Sequence, residues 1–304
     1  MWLHWIWTRL CDGGTSYECM PLWKAVLFGL GLIIWLGMAA MFLLSVCAGK
    51  QTEVELATAK QKWLSEASIT ITIVYDNNYY DNRLMPTWGF SCVVKSPQKT
   101  ILFDTGSDGT VLLHNMAKFG IDLKEVDVVV LSHIHGDHVG GLASFLKCNS
   151  KVTVYMPVSF PQGMKDEVIN TGAKLEEIDK ARELFGGAFT TGELDGGIKE
   201  QSLVLRAPKG LVVITGCAHP GIVNIAKRSK EITGQKIYLM VGGFHLGGAF
   251  PSQINYVAES LLQLGVEKVA PCHCSGDQAR KMFKDYFGDG YVDCGVGKGI
   301  VIEW

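Results

Sequence analysis

The sequence predicts a sheet-rich α/β layer structure set behind one apolar segment long enough to cross a bilayer. Three observations carry that expectation. Residues 25–49, AVLFGLGLIIWLGMAAMFLLSVCAG, run without a charge between Lys24 and Lys50, and about 20 apolar helical residues span a membrane. From Ser68 onward the chain changes to short β-rich runs, the first of which, ITITIVYD, alternates with period two. Beyond it, runs with helical spacing fall between apolar strands, the order that builds layers of helix on sheet.

Taken in chain order, residues 1–24 form a Trp-containing extension to which the pattern gives no function, and His4 belongs to it. Residues 25–49 read as a transmembrane helix or signal anchor, so the chain is expected to be held by a single pass in a bacterial or archaeal cell membrane. Lysines on both sides leave the orientation open. Leu44-Ser45-Val46-Cys47 loosely resembles a lipoprotein cleavage site, and a start at Met20 would give a signal-like N-terminus. Residues 50–67 are a polar, helix-prone linker, and 68–304 form the folded domain. In that domain FSCVVKS and TILFDTG are strands joined by a Pro-containing turn, and GTVLLHNMAKFGI has helical spacing and ends at Gly120. VDVVVLS is a fully apolar strand, VGGLASFLKCN begins a helix, and PSQINYVAESLLQLG is a helix leading to the strand VEKVAP. The stretches Tyr79 to Trp88 and Phe160 to Gly197 read as loops that shape a pocket. GVGKG lacks P-loop spacing and reads as a turn before the last strand, GIVIEW.

Composition narrows the function classes. Net charge is −2 and no run of Lys and Arg stands out, so nucleic acid is not an expected partner. A small-molecule substrate is, together with the membrane through the N-terminal segment. Six of the nine cysteines lie in the domain: Cys92, Cys148, Cys217, Cys272, Cys274 and Cys294. Three of them sit beside histidines, which reads as a metal neighbourhood more than a disulfide framework.

That neighbourhood centres on SHIHGDHVGGL, where three of the chain's eight histidines fall in one loop. The loop leaves the C-terminal end of VDVVVLS, where ligand sites gather in α/β sheets. His133 and His135 are two apart, so in extended backbone both project to one side. Asp137 and His138 fall at the turn into the helix, and the neighbouring glycines permit tight turning. Imidazole nitrogen with carboxylate oxygen suits zinc, manganese or iron. Four donors from one loop can serve two ions.

SHIHGDHVGGL resembles the H-x-H-x-D-H signature of the metallo-β-lactamase superfamily. GCAHPGI, GGFHL and PCHCSG resemble its branch of 7,8-dihydropterin-6-yl-methyl-4-(β-D-ribofuranosyl)aminobenzene 5'-phosphate synthase-like proteins. The resemblance implies an αββα sandwich over the whole domain. It implies one metal site from His133, His135 and His219 and another from Asp137, His138 and His273, with Asp104 of LFDTG hydrogen-bonded into the metal loop. Many relatives have a metal-bridging aspartate where this chain has His245, which becomes a ligand, a substrate contact or else a satisfied core histidine. Cys217 is either a soft ligand or packing, Cys272 and Cys274 are expected to turn away from His273 as packing, and Asn77 and Asn78 read as turn formers near the rim. His114 stays outside the site. No organic cofactor is implied.

The reaction expected is hydrolysis by a dinuclear site, zinc before manganese or iron. Bound metal lowers the pKa of water from ~15.7 to about 7. Asp137 orients the nucleophile, His245 contributes catalytically, and the substrate is a phosphate-bearing or pterin-related small molecule. Two alternatives stand beside it: a di-iron redox protein of the same fold, and a membrane-tethered metal-binding protein without catalysis.

Overall fold

The computed structural model describes residues 68–303. The extension, the 25–49 segment and the linker lie outside them; among the described residues no helix is long and apolar enough to cross a membrane. From Ser68 the chain runs β1 (Ile69–Tyr75), β2 (Ser91–Lys95), β3 (Thr100–Phe103), α1 (Gly109–Lys118), β4 (Val128–Val130), α2 (Gly136–Val139), α3 (Leu142–Cys148), β5 (Thr153–Pro157), α4 (Gln162–Asn170) and β6 (Lys174–Ile178). It continues β7 (Lys180–Phe185), β8 (Ala188–Gly192), β9 (Leu203–Ala207), β10 (Gly210–Thr215), α5 (Ile222–Thr233), β11 (Ile237–Gly243), α6 (Pro251–Gln263), β12 (Lys268–Cys272), α7 (Asp277–Phe287) and β13 (Gly299–Ile302). Two sheets result, ordered β13-β1-β2-β3-β4-β5-β6 and β12-β11-β10-β9-β8-β7.

Period-two patterning decides what each strand buries. Ile69, Ile71 and Ile73 of β1 and Cys92 and Val94 of β2 enter a core shared with Leu203, Leu205, Val212 and Ile214 of the facing sheet. The alternate residues Val93, Leu102 and Val129 pack against Leu112 and Met116 of α1 and Phe145 of α3. On the other outer face Leu211, Val213 and Met240 meet Ile225 of α5, Ile254 of α6 and Phe283 of α7. Each such burial stabilises by roughly 1.5–3 kcal/mol, and the pattern can be satisfied only with helices outside both sheets. The sandwich is therefore αββα, as expected for the folded domain.

The parallel strands β3 to β6 and β10 to β12 send their C-terminal loops to one edge. Asp104, the 132–138 loop, the 216–219 loop, His245 and His273 all follow such strand ends.

Two expectations need correction. The helix after the H-x-H-x-D-H loop is split into α2 and α3 at Gly140 and Gly141. A Cβ on Gly140 would stand 2.2 Å from the Ser107 carbonyl oxygen, and one on Gly141 2.2 Å from that of Thr105. The loop after β3 is pressed against the loop after β4, and only glycine admits it there. Phe160 to Gly197 is not a loop: it contains α4 and the strands β6, β7 and β8. Strands β6 and β7 are sheet edges with charge-rich sequences, KLEEI and KARELF, and edge strands carry charge that blunts further pairing, which conceals the strand pattern.

Gly140→Ala is expected to destabilise the domain by about 1–3 kcal/mol through overpacking against fixed backbone. Gly136, where an added Cβ meets nothing within 4 Å, is the control, with Gly136→Ala nearly neutral. Urea unfolding of the two variants checks this; equal midpoints would show that the two loops are not in forced contact.

Candidate metal centre

The loops at this edge are fixed by buried carboxylates. Asp104, at φ 54° and fully buried, accepts from the Ser132 backbone N–H (2.7 Å), the Ser132 hydroxyl (2.7 Å) and His138 Nδ1 (2.7 Å). Glu200, just before β9 and 1% exposed, gathers the loop after β10. Its Oε1 accepts from the Thr215 hydroxyl (2.9 Å) and from the backbone N–H of Gly216, Cys217 and Ala218 (3.0 Å each). Its Oε2 accepts from the His219 N–H (2.8 Å). Burial raises its pKa above the ordinary carboxylate value, against the pull of the His219 and Ala218 donors and the Thr215 hydroxyl. Asp76, beyond β1, accepts from the His273 N–H at 2.9 Å, and Asn77 Oδ1 accepts from His273 Nδ1 at 3.0 Å.

These partners set the histidine tautomers, because a carboxylate or amide oxygen can only accept. His138 and His273 each donate through Nδ1. With both rings neutral, their Nε2 lone pairs face each other at 3.3 Å. Since the Ser132 hydroxyl donates to Asp104, His133 Nδ1 donates to that hydroxyl at 2.8 Å, leaving its Nε2 lone pair 3.2 Å from His135 Nδ1. Asp137 Oδ2 stands 3.3 Å from His273 Nε2 and 3.7 Å from His138 Nε2. His219 Nε2 is buried and meets no hydrogen-bond partner among the described residues.

Converging acceptors repel one another unless a cation lies between them. Metal–nitrogen bonds of about 2.0–2.1 Å imply tetrahedral N···N edges of about 3.3 Å, so the spacings fit metal ligation. The orphaned His219 nitrogen is a second sign of fit. His133 and His219 with Cys217, and His138 and His273 with Cys217, form two groups whose ligand atoms lie within 4.8 Å of one another. His135 and Asp137 adjoin them through the distances just given. Burial, then like-charge repulsion from His138 and His219, lowers the His133 pKa; burial and then His245 lower that of His219 to about 4. Burial alone would raise Asp137, but His273 and His138 hold its carboxyl well below the usual range. Burial works against the charged form of His138, and Asp104 reverses it to a net rise.

His245 lies at the open side, exposed and at φ 53°, its ring centroid 4.5 Å from that of His219. It does not stand between the two groups; its ring nitrogen lies within 4.8 Å of the Cys217 and Cys274 sulfurs. His273 at φ 48° breaks the extended geometry that would have turned Cys274 away, and Cys217 Sγ sits 3.2 Å from His138 Nε2. The Cys217–Cys274 contact lowers the Cys274 thiol, against burial and with His245 and His273 adding, and together with burial raises that of Cys217. Cys272 is in the intersheet core as expected. Among the described residues the cysteines are unpaired, and His114 is exposed, away from the site.

Four side chains act here in ways the sequence reading did not assign. Glu200 and Asp76 carry no motif of their own; only the fold reveals what they hold. Asn77 was a turn former and proves to orient His273. Trp88, 57% exposed, lays its ring 4.9 Å from that of His273.

The model of the Metallo-beta-lactamase superfamily matches residues 89–273. A 7,8-dihydropterin-6-methyl-4-(beta-D-ribofuranosyl)-aminobenzene-5'-phosphate synthase of Methanocaldococcus jannaschii is 31% identical over 277 residues, covering 75% of this chain and 94% of its own. The crystal structure of Tm1679, a metal-dependent hydrolase of the beta-lactamase superfamily, superposes with a TM-score of 0.67 at 30% identity, covering 76% of this chain and 98% of that one. The metallo-beta-lactamase fold protein YhfI from Bacillus subtilis shares the fold at a TM-score of 0.58 and 14% identity, over 77% of this chain and 99% of its own.

Glu200→Gln replaces an acceptor oxygen by a donor facing backbone N–H groups. Leaving buried donors unpaired costs about 1–3 kcal/mol each, so a loss on the order of 2–4 kcal/mol is expected in chemical unfolding, with weaker metal retention through His219. A variant as stable as the parent would show that the loop after β10 holds its shape without that carboxylate.

Proposed function

The chain belongs to the metallo-β-lactamase superfamily and is an enzyme of that fold; from that premise we propose that it hydrolyses a phosphate-bearing small molecule at a site for two divalent cations, zinc before manganese or iron. The observation that carries this reading is the convergence of lone pairs, the Nε2 atoms of His138 and His273 at 3.3 Å and the unpartnered Nε2 of His219. His133, His135 and His219 would hold one ion, and Asp137, His138 and His273 the other. Bound there, the ions supply Lewis acidity that makes water a nucleophile near neutral pH and stabilises charge developing on a phosphoryl or acyl oxygen.

The chain's own groups do the rest. Asp137, kept ionised by its histidine neighbours, accepts a hydrogen bond from the attacking water and fixes its direction. Asp104 and Asn77 hold the rings of His138 and His273 through their Nδ1 atoms, as outer partners of metal ligands do. The pKa of the exposed His245 imidazole is raised, first by its hydrogen bond with Cys274 and against burial, and the ring's place at the open side lets it act as the proton donor to the leaving oxygen. A cavity of about 430 Å³ runs from His245 along α6, past Gln253 to Tyr256, and would receive the organic part of the substrate. The name of the Methanocaldococcus relative makes pterin-like phosphates the first substrates to try. Residues 25–49 would tether the enzyme to a membrane.

Elemental analysis of protein purified without added metal or chelator is expected to find about two zinc or manganese ions per chain. His135→Ala and Asp137→Ala are expected to lose metal and turnover of phosphoesters together, with the fold retained by circular dichroism; full metal content in both would sink the assignment. His245→Ala should keep its metal and lose about 10²–10⁴-fold in kcat, the usual worth of a general acid. Unchanged kcat would remove His245 from the chemistry.

A further inference from the structure

We propose that Cys217 is a thiolate ligand shared by both cations, taking the bridging role that a carboxylate fills in many relatives. The inference rests on the two-cation reading above and deepens it. Cys217 Sγ is the one atom common to the group with His133 and His219 and the group with His138 and His273. It lies 3.2 Å from His138 Nε2, and the residue is 4% exposed, so the sulfur sits at the inner side of the centre, where the ligand sets meet.

Other candidates for a bridge are spoken for. Both oxygens of Asp104 are engaged by Ser132 and His138, and both oxygens of Glu200 by the 215–219 backbone and Thr215. Asp137 adjoins only the His138 and His273 nitrogens in the distances found. His245 groups with the two sulfurs and with neither histidine pair, and an imidazole nitrogen has one lone pair to give. A thiolate sulfur has three. Two metal–sulfur bonds of about 2.3 Å at an open angle place two ions within the roughly 3.5–4 Å separation usual for paired-metal sites.

The backbone is arranged to present this sulfur. Glu200 binds the Cys217 N–H, and Ala218 at φ 58° turns the chain between Cys217 and His219. Gly243, at the end of β11, leaves the space in front: a Cβ there would stand 2.6 Å from Cys274 Sγ and 3.2 Å from Cys217 Cα. Cys274 neighbours Cys217 but is in neither histidine group, so it is not the shared ligand. On metal binding the Cys217 thiol proton passes to solvent, as thiolate ligation requires.

The test is cadmium-113 NMR on the full-length chain in detergent, loaded with enriched cadmium and assayed for bound metal. Two cadmium ions per chain are expected, with both resonances moved downfield by sulfur and each split by the other through the common atom. The splitting should vanish in Cys217→Ser and survive in Cys274→Ala. Two bound ions with no mutual splitting, or with sulfur on one ion alone, would overturn the shared thiolate and leave the two-cation site standing. A splitting that disappears in Cys274→Ala would overturn it in favour of that residue. Failure to bind two ions at all would bring down the two-cation reading itself. If Cys217→Ser does not fold, the parent and Cys274→Ala spectra decide the matter alone.

Discussion

The site depends first on the Asp104 carboxylate, a buried anion at the end of β3 that takes three hydrogen bonds from the neighbouring strand loop. One of them fixes the backbone of Ser132, one its hydroxyl, and one the ring of His138. Through that hydroxyl the same anion also sets the tautomer of His133. A hydrogen bond to a charged group contributes about 1.5–3 kcal/mol, so a single residue holds two of the loop histidines with their Nε2 lone pairs inward. The glycine pair at 140 and 141 is the steric counterpart, since it lets the loop carrying Asp104 lie against the one it organises.

The other half of the centre repeats the device with different residues. Glu200 gathers the 215–219 segment, and Asp76 with Asn77 fixes His273. The non-glycine residues with positive φ among those described are Asp104, Ala218, His245 and His273, and all four lie at this edge. Left-handed backbone at such residues costs of order 1–3 kcal/mol each and persists where surroundings over-determine it. Here the surroundings are the carboxylates and the two sheets behind them, and the strain aims side chains from five strand ends at one space.

The sequence made the H-x-H-x-D-H loop legible because its donors are contiguous and follow an apolar strand. The αββα layering was legible from period-two runs and, over the whole domain, from family resemblance. What it concealed was whatever depends on residues far apart in the chain. Glu200 looks like an ordinary acidic residue until β9 and β10 pair and bring it under the 216–219 backbone. The direction of Cys274, toward Cys217, was hidden because i and i±1 alternation assumes extended backbone, and His273 at φ 48° is not extended. The charged edge strands β6 and β7 were misread because the residues that protect an edge also erase the alternation that betrays a strand.

The placement of anions bears on how metal and fold depend on each other. Asp104, Asp76 and Glu200 are each buried, and burial raises the pKa of Asp76 and Glu200 despite their hydrogen bonds. Buried carboxylates are costly when their charge is not answered, and the described residues within hydrogen-bonding reach of these three answer it with N–H, O–H and imidazole dipoles. Two divalent cations would supply the missing positive charge at the point where the three arms converge. The same ions would relieve the facing lone pairs of His138 and His273. Binding free energy would then act as folding free energy for this edge of the sandwich, while the intersheet core, built from Ile71, Ile73, Leu203 and Val212, draws its stability from apolar burial that needs no ion. The architecture would thus separate a self-sufficient core from a rim whose rigidity depends in part on what it binds.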